Sequence, residues 1–349
     1  MPFRSLLSRL GIDPYLIALI ATVGLAAALP ARGVAAVAVD HAVTAAVALL
    51  FFLYGARLSS RAVIEGLAHW RLQALVFAST FVLFPLVGLA LTTALRPFLS
   101  ADLALGLMFV CVLPSTVQSS IAFTSIARGN VPAALCSASL SNLIGMVMTP
   151  ALVALLLSTH GAGFSGQALV DIALQILAPF AAGQLAQRWI GPWLTRHRAL
   201  TAFVDRGSIL LVVYAAFSEG MVAGVWASLG LGELATVLVL DVVMLGLVLI
   251  ITTAASRRLG FSREDEIAIV FCGSKKSMAS GIPMANILFA GQPLGLIVLP
   301  LMLFHQAQLF ACATLAQRYA RRAAATSSPA THGARPANGP ESTLAARAG

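Results

Sequence analysis

The chain has 349 residues, of which 59% are hydrophobic and 10% charged, with a mean hydropathy of +0.92. Soluble domains carry about 25% charged residues, so this composition excludes a soluble globular protein and predicts an all-α polytopic membrane protein. The net charge of +9 does not mark a nucleic-acid binder, because the arginines are spread over short loops and form no basic face.

A spanning helix needs about 20 mostly apolar residues. Ten segments meet that demand: 12–30, 37–56, 72–95, 102–126, 131–158, 167–188, 207–229, 233–256, 265–290 and 294–317. The first follows Arg4 and Arg9 and ends in Ala-Ala-Ala-Leu-Pro-Ala, which imitates a signal peptide. Its apolar run is long for one, and further spans follow, so a retained first helix is expected.

The arginines set the orientation. With the N-terminus inside, the inner loops hold Arg4 and Arg9, then Arg57, Arg61 and Arg71, then Arg128, then Arg188, Arg196, Arg198 and Arg206, then Arg257, Arg258 and Arg263, and five more in the tail. Only Arg32 and Arg96 fall outside. The positive-inside rule thus predicts a multi-pass protein of the cell (inner) membrane with both termini cytoplasmic. Ten spans divide into five and five, and an odd-numbered group inserts upside down relative to its copy. That permits an inverted repeat. From Arg321 the composition turns to Ala, Ser, Pro, Gly and Thr, so residues 321–349 are expected to form a disordered tail behind a 1–320 membrane domain.

Two spans are unlike the rest. Span 4 holds Val112-Leu-Pro-Ser-Thr-Val-Gln-Ser-Ser120, with Pro114 followed by Gln118, Ser119, Ser120 and other polar side chains. A proline removes a backbone donor and clashes with the preceding turn, and nearby hydroxyls can satisfy the freed carbonyls. Span 9 carries Gly273, Gly281 and Pro283 around Ser274, Lys275, Lys276 and Ser277. Matching Gly/Pro-interrupted spans in corresponding places of two halves point to a transporter binding site. Lys275 and Lys276 are the only lysines in the chain. An ammonium at bilayer depth costs about 2.5–3.5 kcal/mol, so at least one is expected to face the cavity between spans 4, 5 and 9, balanced by carbonyls, hydroxyls or Asp241. The plainer alternative is a lysine that caps helix carbonyls or snorkels to an interface.

Span 5 adds Ser137, Ser139 and Asn142. The serines suit either ligation or close helix packing, whereas a buried amide wants several partners. Asp241 is the clearest acid well inside a span, a candidate lysine partner or proton carrier. His305 is a second ionisable group inside a span; as a lone membrane histidine it is more often a packing residue than a relay. Cys111, Cys136, Cys272 and Cys312 show no metal-ligand spacing and read as small buried hydrophobes.

Four stretches together resemble one family. They are Leu113-Pro-Ser-Thr-Val-Gln-Ser-Ser120; Ala127-Arg-Gly-Asn130 with Ser139 to Pro150; Phe271-Cys-Gly-Ser-Lys-Lys-Ser277 with Gly281-Ile-Pro283; and Leu299-Pro-Leu-Met-Leu-Phe-His-Gln-Ala-Gln308. The chain resembles the bile acid:sodium symporter superfamily over about residues 10–320, in the symporter-like (SBF-like) branch that includes the seventh member of solute carrier family 10. The resemblance implies ten transmembrane helices as two inverted five-helix repeats. Spans 1, 2, 6 and 7 would form a panel domain, and spans 3–5 and 8–10 a core domain in which broken helices 4 and 9 cross. It also implies alternating access. Sodium-coupled members hold one Na+ between the span 4 break, span 5 and a span 9 glutamate, and a second with span 9 backbone and a glutamine. By position, Ser119 and Ser120 match the span 4 ligands and are the candidate Na+ site. The span 5 ligands fall near Ala134 and Ala138, or one residue along at Ser137 or Ser139. The glutamate corresponds to Phe271 or Cys272 and the glutamine to Lys275. The charged ligand is therefore missing, which puts sodium coupling in question.

The expected function is secondary transport of a small organic anion, with Na+ or H+ as candidate coupling ion. The alternative is a non-transporting membrane regulator or sensor that keeps the fold. No Ser/His/Asp set, metal cluster or phosphate loop accompanies the lysines, so no enzyme and no bound cofactor is expected. The arginine count has a direct check. A cysteine added after Gly349 should resist a membrane-impermeant thiol reagent in intact cells and react once they are opened.

Overall fold

The computed structural model describes residues 14–57, 69–157, 166–224 and 230–327. No strand occurs among them. The helices are α1 (Pro14–Ala28), α2 (Val34–Arg57), α3 (Trp70–Ala94), α4 (Ala101–Val112), α5 (Gln118–Ile126), α6 (Val131–Leu157), α7 (Gly166–Arg196), α8 (Arg198–Val222), α9 (Leu231–Arg258), α10 (Arg263–Gly273), α11 (Met278–Leu288) and α12 (Leu294–Ser327). Among the described residues, α2, α3, α6, α8, α9 and α12 are long and apolar enough to cross a membrane, and α1 and α4 are shorter apolar helices.

Large apolar side chains point outward, as in Leu155 (69% exposed), Ile250 (68%) and Phe203 (75%), while Ser, Thr, Asp and Lys side chains are buried inside. In water such a surface would aggregate; in hydrocarbon it is the favourable one. The packing follows close approaches. α2 lies along α7, and α8 packs on α1 and α2. Gly55 and Gly183 make the α2–α7 contact reciprocal. A Cβ on Gly55 would stand 2.0 Å from Phe180 O, and one on Gly183 1.9 Å from Phe52 O. Elsewhere α4 packs on α12 and α3, α10 on α3, α6 and α9, and α9 on α12.

The segments read as spans 4 and 9 are not single helices. α4 stops at Val112 and α5 starts at Gln118; α10 stops at Gly273 and α11 starts at Met278. α3 is also irregular, with a π-helical turn over Ser79–Leu83 closed by Phe84 N–H on Ser79 O. α12 continues to Ser327, into the segment expected to be disordered, because its arginines and alanines favour helix. The rest of that tail and the loops holding Arg4, Arg9 and Arg61 lie outside the described residues.

The glycine contact is testable. Gly183→Val should lower the yield of monodisperse protein in detergent severalfold, since overpacking against backbone costs about 1–3 kcal/mol or more. Gly207→Ala, where a Cβ meets nothing within 4 Å, should leave it unchanged.

Candidate functional site

The site grows from a backbone problem. Four helix ends meet where α4–α5 and α10–α11 break, and each end leaves amides or carbonyls without helical partners. Inside a membrane protein these must be satisfied by protein. The two breaks touch directly: Ser277 N–H donates to Pro114 O at 2.8 Å. The fit is close, because a Cβ on Gly145 of α6 would stand 2.6 Å from Pro114, and one on Gly281 of α11 2.6 Å from Leu113.

Side chains answer the loose carbonyls. At the end of α4, Thr149 donates to Val112 O at 2.8 Å. Asn142 donates to Ser115 O at 2.7 Å and to Ala138 O at 3.1 Å, and Ser115 N–H donates to the Ser141 hydroxyl at 3.0 Å. At the end of α10, Ser79 donates to Gly273 O at 2.8 Å, Ser120 to Phe271 O at 3.0 Å and Ser274 to Val270 O at 2.6 Å.

The two lysines are both completely buried, yet their surroundings differ. Lys276 Nζ donates to Thr80 O and Cys111 O at 2.7 Å and to Leu113 O at 2.8 Å. The Phe84 ring lies 4.1 Å from the same nitrogen. The Lys276 backbone is clamped too, its N–H on Gln308 Oε1 at 2.8 Å and its carbonyl accepting from Gln308 Nε2 at 2.9 Å. Among the described residues Lys275 Nζ hydrogen-bonds only the Ser119 hydroxyl, at 3.4 Å, and sits 4.1 Å from the Phe123 ring and 5.5 Å from Phe271.

Beside the crossing is a cavity of about 410 Å³. Its crossing-side wall is Thr116, Gln118, Ser119, Ser139, Asn142, Ser277 and His305; the facing wall is Tyr54, Arg57, Phe180, Asp205 and Arg206. The N-terminal ends of α5 and α11 form part of the first wall. On the second, Arg57 and Asp205 make a two-pronged ion pair, both contacts at 2.7 Å. Gln308 Nε2 also donates to His305 Nδ1 at 2.9 Å, which leaves the other ring nitrogen as the N–H in the neutral imidazole.

Of the residues expected from sequence, Gln118, Ser119, Ser139, Asn142, Ser277 and His305 line the cavity, while Pro114, Ser120, Ser137, Ser274, Lys275 and Lys276 lie behind its wall. Lys275 is within reach of Ser119; Lys276 points the other way, into backbone carbonyls. Neither lysine has Asp241 as its counter-ion. Asp241 is fully buried on α9, and neither of its oxygens has a hydrogen-bond partner among the described residues. Of the three expected partners, carbonyls serve Lys276 and a hydroxyl serves Lys275; carbonyls already use all three Lys276 protons. Sequence reasoning missed Arg57 and Arg206 as cavity residues because their positions at span ends explained them as orientation charges. It missed Asp205, Thr80 and Gln308 because their partners lie far along the chain.

Comparison with known proteins agrees with this architecture. The model of the SBF-like CPA transporter family matches residues 13–321, and the chain belongs to that family. It is therefore a multi-pass membrane protein of transporter type. An uncharacterized protein of Pseudomonas aeruginosa is 57% identical over 311 residues, covering 89% of this chain and 93% of its own length. A putative symporter of Escherichia coli (strain K12) is 50% identical over 311 residues, covering 89% of this chain and 94% of its own. The sodium/bile acid cotransporter 7 of Rattus norvegicus is 28% identical over 313 residues, covering 87% and 91%.

Asn142 tests the way the break is held. Asn142→Leu removes the donor to Ser115 O, and an unsatisfied buried carbonyl costs about 1–3 kcal/mol. Its thermal midpoint in detergent should fall by several degrees, whereas Gln118→Ala at the cavity wall should leave it near wild type.

Proposed function

We propose that this protein is a secondary transporter of a small organic anion, working by alternating access in the inner membrane with both termini cytoplasmic. The observation that carries the reading is the cavity beside the crossed breaks. Its wall combines hydroxyl and amide groups, the N-terminal ends of α5 and α11, and the guanidinium-bearing Arg57 and Arg206. Helix N-termini carry partial positive charge, and broken helices aimed at a midplane site are a recurring way to hold anionic groups.

In this reading the ten spans form two inverted five-helix repeats. α1, α2, α7 and α8 make a panel domain, and α3–α6 with α9–α12 a core domain that moves against it. Arg57, Asp205 and Arg206 line the cavity on the side where the arginines cluster, which supports reading this state as inward-facing. For coupling, a Na+ at Ser119 and Ser120 would stand beside the Lys275 ammonium, 3.4 Å from Ser119, and like charges repel strongly at low dielectric. Transport without Na+ follows, with a proton as the remaining candidate.

Counterflow of labelled organic anions, from monocarboxylates to conjugated sterols, into proteoliposomes in choline medium tests this. Uptake of at least one anion is expected without Na+. Saturable binding with no counterflow for any of them would favour the regulator or sensor instead. Lys275→Gln, which restores the amide of the sodium-coupled pattern, should cut Na+-free counterflow by about tenfold, the equivalent of roughly 1.4 kcal/mol. Its folding should be intact, and any activity that remains should respond to Na+.

A further inference from the structure

We infer that the ring of backbone carbonyls at the helix crossing is a monovalent-cation site whose resident is the protein's own Lys276 ammonium. This deepens the transporter reading and rests on it for the uptake arm of the test alone.

The geometry is that of an ion site. Three carbonyl oxygens, Thr80 O, Cys111 O and Leu113 O, converge on one point at 2.7, 2.7 and 2.8 Å. Thr80 belongs to α3 and the other two to the C-terminal end of α4, so the ring exists only when these two helices are together. An ammonium has three protons and no acceptor, and all three are used. The Phe84 face at 4.1 Å closes another side. No carboxylate forms an ion pair with this nitrogen among the described residues; the balancing charge is the partial negative end of α4. Rings of neutral backbone carbonyls are how proteins replace the hydration shell of alkali cations.

The tether is built for permanence. Gln308 grips both the N–H and the carbonyl of Lys276, which fixes where the side chain starts. Lys275, one residue earlier, has a single long hydrogen bond and two ring faces among the described residues. The adjacent lysines are therefore not equivalent. Lys276 supplies a charge that cannot leave, and the carbonyl ring needs no dissolved ion.

Removing the side chain should expose the site. In Lys276→Ala, three buried carbonyls lose their donors together, and the opened space should accept a small cation. The experiment measures thermal midpoints of purified protein in choline chloride, then with added NaCl or n-propylammonium chloride. Wild type should give the same midpoint in choline and in NaCl. Lys276→Ala in choline should melt about 5 °C or more lower, and Na+ or n-propylammonium should restore about half the loss, saturably. Lys276→Met refills the space without a donor; it should melt low and respond to neither cation. A wild-type midpoint that rises with Na+, an alanine variant as stable as wild type in choline, or an alanine variant that neither cation stabilises would each overturn the inference. Should the alanine variant not accumulate, the wild-type Na+ titration decides by the same criterion. None of these readouts needs a transported solute. If the alanine variant is rescued by Na+ but wild type moves no anion, the transporter reading fails while the cation site stands. Where wild type does transport, the alanine variant should take up solute only when one of the two cations is supplied.

Discussion

An unwound backbone at membrane depth must find all its hydrogen-bond partners inside the protein, and most features of this chain follow from that. Two helices break near one another, and each break offers carbonyls with partial negative charge in buried stretches of backbone, Val112 to Ser115 and Val270 to Ser274. The hydroxyls of Ser79, Ser120, Ser274 and Thr149, the Asn142 amide and the Lys276 ammonium all serve that one need. Many of these side chains belong to a different segment from the carbonyl they serve. Neither break is thus satisfied without the other, and Ser277 N–H on Pro114 O joins them directly. The cavity wall made of such parts has its irregular backbone hydrogen-bonded from several segments.

The same constraint divides the charges. At the crossing the cations are lysines, held by carbonyls and ring faces and screened from the cavity. Across the cavity they are arginines, one locked to Asp205 in a half-open setting, with side chains 27% and 14% exposed. An anionic solute entering between them would meet dipoles and hydroxyls on one wall and guanidinium groups on the other. Relative motion of the two walls would then change which side of the membrane reaches the solute without disturbing the satisfied crossing. Asp241 is the exception, buried with no hydrogen-bond partner among the described residues.

How much was legible beforehand depended on whether the signal was local. The breaks were, since Pro114 and Gly273 with clustered serines are poor helix in any context. So was the all-helical, membrane-spanning character, because composition and length alone define it; six described helices are long and apolar enough to cross. The significance of the lysine pair was legible, but not the difference between its members. That depends on Thr80, which the π-helical turn of α3 holds at the crossing, and on Cys111 and Leu113, more than 160 positions away from Lys276. Arg57 looked like a topology signal because its partner Asp205 lies 148 positions along the chain. Periodicity and composition report neighbours in sequence; the two walls of the cavity, one holding Gln118 and Ser119 and the other Asp205 and Arg206, are neighbours only in space.

The central claim is that the cavity beside the crossing opens to each side of the membrane in turn. Its most direct test is Gln118→Cys at the cavity wall, with the four native cysteines, all buried and none in a disulfide, replaced by alanine or serine. A membrane-impermeant thiol reagent is applied to right-side-out and to inside-out vesicles. Alternating access predicts labelling from both faces, each slowed by a transported anion. Labelling from one face only, at a rate that no solute changes, would contradict it.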